Sequence, residues 1–274
     1  MNIFDKTLSE LSDRVPRVEN EYLSAEDGLL HCSVCNERTE TIIKHPFSNE
    51  QRKVRCRCKC KTDFDEFNER NKREELERQK RICFAETNMH DWTFGNDDRK
   101  NPQLSDAMMN YVQNFNEFRK DGKGLLLYGT VGTGKTYYSA AIANALIENG
   151  YTALFRTFKQ IERELWNAEN KAEYMKHLNR YSLLIFDDLG TERESKYMQD
   201  IVFDIIDTRY KSGLPFIVTT NLSSEKIKKP DSIEYARIYD RILERCFPVK
   251  VEGESRRRQN VKDTFFDVKE KLGL

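Results

Sequence analysis

Residues Gly129-Thr130-Val131-Gly132-Thr133-Gly134-Lys135-Thr136 fit the spacing G-x-x-x-x-G-K-[ST], which is the spacing of a phosphate cradle. The backbone N–H groups of such a loop converge on phosphate oxygens. Its glycines allow a tight turn and a close approach that a Cβ would obstruct. Lys135 is then placed to neutralise the β- and γ-phosphates of ATP, and the Thr136 hydroxyl to ligate Mg2+. A second group follows in Tyr181–Gly190, an apolar run closed by Asp187 and Asp188. Asp187 is expected to hold Mg2+ through water and Asp188 to orient the attacking water. A third apolar run, Pro215-Phe-Ile-Val-Thr-Thr-Asn221, ends in a side chain able to position water at the γ-phosphate. Taken alone, Thr-Asn at a strand end is also ordinary turn chemistry. Arg237, Arg241 and Arg245 recur every fourth residue, on one helix face. That face suits a salt-bridged surface, or an arginine (Arg241 or Arg237) that reaches into a neighbouring subunit's ATP site.

Cysteine supplies a separate chemistry. Cys32-x-x-Cys35 and Cys56-x-Cys58-x-Cys60 stand close together in the first quarter of the chain, near the spacing of a zinc ribbon or knuckle. Thiolates around a tetrahedral ion would staple a segment too small and polar to build its own core. Five cysteines compete for four places; Cys32, Cys35, Cys58 and Cys60 are the expected Zn2+ ligands, with Cys56 the spare and His31 or His45 as substitutes. Cys83 and Cys246 stand apart and are expected to pack as small apolar residues. The second ligand loop also carries Arg52, Lys53, Arg55, Arg57, Lys59 and Lys61, which suits phosphate contacts and docking on an acidic protein surface equally.

These groups need elements to hold them. Gly124–Tyr128 reads as a buried strand leading into the glycine loop, and the Ala- and Ile-rich stretch after it as a helix. The helix N-terminus would then face the phosphates. Strands are expected at 124–128, 152–156, 182–187 and 215–219 and near 247–251, with helices at 134–149, 158–178, 196–211, 234–245 and 256–271. The alternation implies an α/β fold, a parallel sheet covered on both faces. Upstream, a short amphipathic helix is expected before Pro16. Residues 63–82 are mostly charged and lack Gly and Pro, so they read as a solvated helical linker. Asn101-Pro102 marks a turn. Domains are accordingly expected at 1–62 (the zinc module), 63–89 (the linker) and 90–274 (the nucleotide domain). Lys and Arg total 46, as do Asp and Glu, so nothing in the net charge attracts nucleic acid; any DNA contact must be local. One such stretch is 156–180, where Arg156, Lys159, Arg163, Lys171, Lys176 and Arg180 interleave with Phe155, Phe158, Trp166 and Tyr174. It suits single-strand tracking or a helix with buried aromatics. No apolar run is long enough to cross a bilayer and no signal peptide is evident, so a cytoplasmic protein is expected.

Gly129–Thr136, Leu184–Gly190, Val218–Asn221, Arg237–Arg241 and Gly253-Glu-Ser-Arg-Arg257 together resemble the AAA+ ATPases of the DnaC/IstB type, most closely phage and Firmicute DnaC-like helicase loaders. The resemblance covers about residues 90–260 and extends to the cysteine module. It implies a P-loop AAA+ sheet flanked by helices, with Arg241 as arginine finger and Asn221 as sensor 1. Gly253-x-Ser-x-Arg257 matches a family motif in the last helix. It also implies ATP hydrolysis, self-association through the ATP site, single-stranded DNA as a ligand and a DnaB-type replicative helicase as partner. A transposition helper shares the same core, although the simplest of those lack the cysteine module. An adaptor switched by ATP with negligible turnover is a third possibility.

Overall fold

The computed structural model describes residues 20–44, 50–85, 87–190, 196–230 and 232–256, with Val15 and residues 268–269 and 271–272. The segment before Pro16 expected to be helical, His45, and most of the helix expected over 256–271, Arg257 included, lie outside the described residues. The chain divides into two compact units, Met1–Glu75 and Leu76–Leu274. The division falls inside α1 (Lys59–Phe84), within the 63–89 stretch expected to be the linker.

The first unit is two antiparallel hairpins. β1 (Glu21–Leu23) pairs with β2 (Leu30–Cys32), and β3 (Glu40–Lys44) with β4 (Gln51–Arg55). Strands were not anticipated here, because three-residue runs such as Glu-Tyr-Leu give too little alternation to register. The buried residues among those described are few: Ser24, Leu29, Cys32, Thr39, Val54 and Cys58. A core so small among the described residues is one that a staple would strengthen. The first part of α1 is solvated and carries i,i+4 pairs, Lys61 with Asp65 and Glu69 with Arg73, as its composition leads one to expect.

The second unit is built on a five-stranded sheet of β5 (Gly124–Tyr128), β6 (Ala153–Thr157), β7 (Leu183–Leu189), β8 (Phe216–Thr220) and β9 (Cys246–Lys250). Their spatial order is β6-β7-β8-β5-β9, and every pairing is parallel. Side chains alternate across the strands, so Leu125 and Leu127 enter one core layer and Leu126 the other. The first layer is covered by the end of α1, α2 (Pro102–Gln113), α3 (Phe115–Lys120) and α4 (Lys135–Glu148). The second is covered by α5 (Phe158–Asn167), α6 (Lys171–Leu178), α7 (Lys196–Ser212), α8 (Ser224–Lys228) and α9 (Ile233–Arg245). Helix α4 is apolar nearly all round and buries most of its residues, as a helix clamped on a sheet does. Cys83 and Cys246 are buried in these layers, and burial pushes the Cys83 thiol up to about 12. No helix among the described residues is long and apolar enough to cross a membrane.

Two expected elements differ. Asn101-Pro102 opens α2: the Asn101 side chain accepts from the Leu104 N–H at 3.2 Å, and Pro102 fills a first-turn position whose N–H has no helical partner. The single helix expected over 158–178 is two. Thr157 and Gln160 form a capping box at the start of α5, and Asn170 caps α6 by accepting from the Ala172 and Glu173 N–H groups. A second strong cap inside a helical run ends the first helix.

Candidate nucleotide site and cysteine cluster

Strand β5 delivers the glycine loop to the end of the sheet, and α4 departs from it. Gly134 takes φ +105° ahead of the first helical residue, so the free N–H groups of α4 open toward the loop. Gly132 lies at φ +87°, and a Cβ there would stand 2.2 Å from Ser255 Oγ, so any side chain is strained and crowds Ser255. Lys135 is 5% exposed. Its Nζ donates to the Gly129 and Thr130 carbonyls at 2.8 and 2.7 Å, so the ammonium lies along the loop.

Strand β8 lies between β5 and β7, which brings the ends of all three together. At the end of β7 the register with β8 shifts between Phe186 and Leu189. Asp188 sits within this irregularity at φ +59°, a left-handed conformation that Asp tolerates better than most residues. A bulge of this kind re-aims side chains: Asp187 is buried, whereas Asp188 lines the cavity. Thr219 Oγ1 donates to Asp187 Oδ1 at 2.6 Å and accepts from the Asp188 N–H at 2.9 Å. Asn221 Nδ2 lies 3.4 Å from Asp188 Oδ1. Burial pushes the Asp187 carboxyl up to about 6 against the pull of the Thr219 hydroxyl; the Asp188 charge adds to the push, while the Thr136 hydroxyl and Lys135 oppose it.

The cavity at this meeting point has a volume of about 450 Å3, and its lining includes Val131, Gly132, Gly134, Lys135, Thr136, Asp188 and Asn221. Gly129, Thr130 and Thr133 belong to the same loop; Thr133 is buried and its hydroxyl donates to the Thr130 carbonyl at 3.0 Å. Arg237 and Arg241 are not part of this lining. They project from α9 onto α7, where Arg241 Nε donates to Asp207 at 2.8 Å.

Several residues of the cavity were not singled out from the sequence. Trp92, Asn96, Asp98 and Lys100 line it from the segment before α2, and Tyr137 and Arg256 complete it. Tyr137 OH donates to the Thr93 carbonyl at 2.7 Å, and Asn144 of α4 donates to the Met89 and Trp92 carbonyls. The segment is thereby tied to the helix behind the loop. Arg256 donates its N–H to the Gly132 carbonyl at 3.0 Å and places its guanidinium 3.1 Å from Asp98. It falls inside the Gly253–Arg257 motif, at a position that the motif leaves open. The other wall residues had no signal beyond their place before the first strand.

The cysteine cluster belongs to the first unit. The Sγ atoms of Cys32, Cys35, Cys58 and Cys60 all lie within 4.8 Å of one another, with Cys32 to Cys60 at 3.6 Å and Cys58 to Cys60 at 3.3 Å. Zn–S bonds of about 2.3 Å in a tetrahedron place sulfurs roughly 3.8 Å apart, so the set fits a zinc ion. Cys56 stands outside the cluster and its thiol faces the Arg38 carbonyl. His31 is not among the clustered groups: its ring nitrogens engage the Asn36 carbonyl and the Asp27 carboxylate. The basic loop is largely spent within the unit, through Arg55 with Glu21, Lys53 with Glu40, and Arg57 and Lys61 with Asp65.

The 156–180 stretch sorts by exposure. Phe155 and Phe158 are buried, Arg156 holds Glu164 and the Ile82 and Cys83 carbonyls, and Tyr174 donates to Glu164. Trp166 is 74% exposed, on the same helix as the exposed Lys159 and Arg163.

With this geometry the comparisons with known proteins agree. The replicative helicase loader DnaI of Bacillus subtilis is 31% identical over 160 residues, covering 54% of this chain and 51% of DnaI. A Sinorhizobium fredii protein named for an insertion sequence and ATP binding is 27% identical over 164 residues, 58% of this chain and 55% of that protein. The chain thus spans about half the length of these curated relatives. A DnaI crystal structure superposes with a TM-score of 0.55 at 25% identity, covering 65% of this chain and 99% of that one. The sequence profile of the IstB-like ATP binding proteins matches residues 64–264, and the chain belongs to that family.

Proposed function

We propose that this protein hydrolyses ATP and uses the cycle to load a DnaB-type replicative helicase onto single-stranded DNA. The observation that carries the reading is the convergence of Lys135, Thr136, Asp188 and Asn221 on one cavity at the ends of three parallel strands, with Asp187 buried beside Thr136. Lys135 exchanges the Gly129 and Thr130 carbonyls for β- and γ-phosphate oxygens, while the loop N–H groups and the α4 N-terminus take the remaining charge. A buried carboxyl raised to about 6 beside a hydroxyl is a donor pair that a divalent cation completes. Thr136 and Asp187 would hold Mg2+, which supplies neutralising charge between the β- and γ-phosphates. Asp188, with Asn221 beside it, orients the water that attacks the γ-phosphorus. Arg241, directed away from its own chain's cavity, completes the site of a neighbouring copy, so an isolated chain turns over slowly; Arg237 stands beside it as the second candidate.

The same reading gives the remaining parts their tasks. Cys32, Cys35, Cys58 and Cys60 would hold a structural Zn2+, four sulfurs leaving no open position. The module so stapled, residues 1–62, docks on the helicase; 63–89 is the linker and 90–274 the AAA+ domain. Because its basic side chains are mostly paired internally, protein docking suits this module better than phosphate contacts. Trp166, Lys159 and Arg163 form the surface for single-stranded DNA, one base stacking on the indole. The protein works in the cytoplasm.

The relationship to an insertion-sequence protein favours one second reading, a helper ATPase for a transposase. Co-purification decides between them. The full-length chain with ATP should retain replicative helicase and not transposase; retention of transposase alone would overturn the loader reading.

A further inference from the structure

Helices α7 and α9 face each other with matched ladders. Phe203, Asp207 and Tyr210 on α7 meet Arg237, Arg241 and Arg245 on α9. The Arg237 and Arg241 guanidiniums lie 4.5 and 4.6 Å from the centre of the one Phe203 ring, and Arg245 lies 4.9 Å from that of Tyr210. Two cations a helical turn apart repel, and the ring they share offsets part of that cost.

Arg241 is the most constrained of the three. Its Nε donates to Asp207 Oδ1 at 2.8 Å and its Nη1 to the Arg237 carbonyl at 3.2 Å. The Phe203 ring lies against the guanidinium, 4.6 Å from its carbon to the ring centre. Among the described residues Nη2 makes no hydrogen bond, so one edge of the fork stays available. Lys211 also reaches Asp207, at 2.6 Å, from a side chain 71% exposed, whereas the Arg241 side chain is 24% exposed. A long flexible side chain that must meet a phosphate on another molecule loses rotamer freedom unless it is held beforehand.

We propose that Phe203 and Asp207 are positioning residues for the ATPase, fixing Arg241 in the orientation from which its free edge reaches a neighbouring copy's nucleotide. The proposal rests on the reading of Arg241 as an arginine supplied in trans. Neither residue touches the nucleotide; both act through Arg241.

The test is steady-state ATP hydrolysis by full-length Asp207→Asn, Phe203→Leu and Phe203→Tyr chains at a concentration where the wild type assembles. Displacing a catalytic group by an ångström can cost about a hundredfold. Asp207→Asn and Phe203→Leu should therefore lose about ten- to a hundredfold in kcat with little change in KM. Phe203→Tyr, which keeps the ring, should retain activity, as should Lys211→Ala. Each weakened chain should regain turnover when mixed with Lys135→Ala chains, which lack a working site of their own but present an intact arginine. Normal kcat in Asp207→Asn and Phe203→Leu, or no rescue by mixing, would overturn the proposal. Arg241→Ala keeps the two readings apart. If it loses turnover and is rescued by mixing while Asp207→Asn and Phe203→Leu stay fully active, the positioning role alone falls. If Arg241→Ala hydrolyses normally, the reading in trans falls.

Discussion

Asp187 and Asp188 are adjacent in sequence but occupy different environments, because a bulge turns one into the core and the other into the cavity. Burial raises the Asp187 carboxyl from 3.8 to about 6. Between these values the native chain holds a proton that the unfolded chain has released, so stability falls as pH rises across the window. Asp187→Asn should remove that dependence in magnesium-free buffer and raise unfolding free energy above pH 6 by up to about 3 kcal/mol. Urea unfolding of both proteins from pH 4 to 8 checks it; parallel profiles would contradict the assigned burial. The same substitution should abolish Mg-dependent turnover, a trade between stability and function common at active sites. The loop, the two acids and Asn221 were legible in sequence because each sits at a fixed offset from an apolar run. Thr219, which bridges both acids, was not: inside Thr-Thr-Asn nothing marks which hydroxyl points inward. Arg256 was hidden for a related reason, since its contacts with Gly132 and Asp98 depend on how the chain returns after β9.

Among the elements, those with strong periodicity followed expectation, and all five sheet strands fall within two residues of their expected ends. The departures have local causes. Asn170 competes with helix continuation and splits 158–178; Asn101 with Pro102 starts a helix where a turn was expected. The hairpins of the first unit escaped notice because a few β-residues are flanked by turn and metal-ligand chemistry. Those hairpins give the prediction at this scale. Cys32 ends β2 and Cys60 lies in the first turn of α1, so a single ion held by the cluster would tie a hairpin to a helix. Metal analysis should find about one zinc per chain, worth on the order of 10–16 kcal/mol of apparent folding energy to this unit. Cys58→Ser should melt the hairpins and leave nucleotide binding by the second unit intact, while Cys56→Ser should leave both intact. A metal-free chain with ordered hairpins would contradict the assignment.

For the molecule as a whole, the sheet order explains why so little sequence carries the site. Placing β8 between β5 and β7 brings three short segments, far apart in the chain, to one sheet edge, where crevices at strand ends bind ligands. The arginine ladder lies on α9, outside the lining of that crevice, and on the reading proposed above this separation would make activity a property of neighbouring copies. The decisive measurement is phosphate release per chain over a wide range of protein concentration, with ATP, Mg2+ and single-stranded DNA held constant. The account predicts turnover near background when chains are dilute, rising to a plateau as they associate, with Lys135→Ala at background throughout. Turnover per chain that is independent of concentration, or a Lys135→Ala chain that hydrolyses ATP, would contradict it.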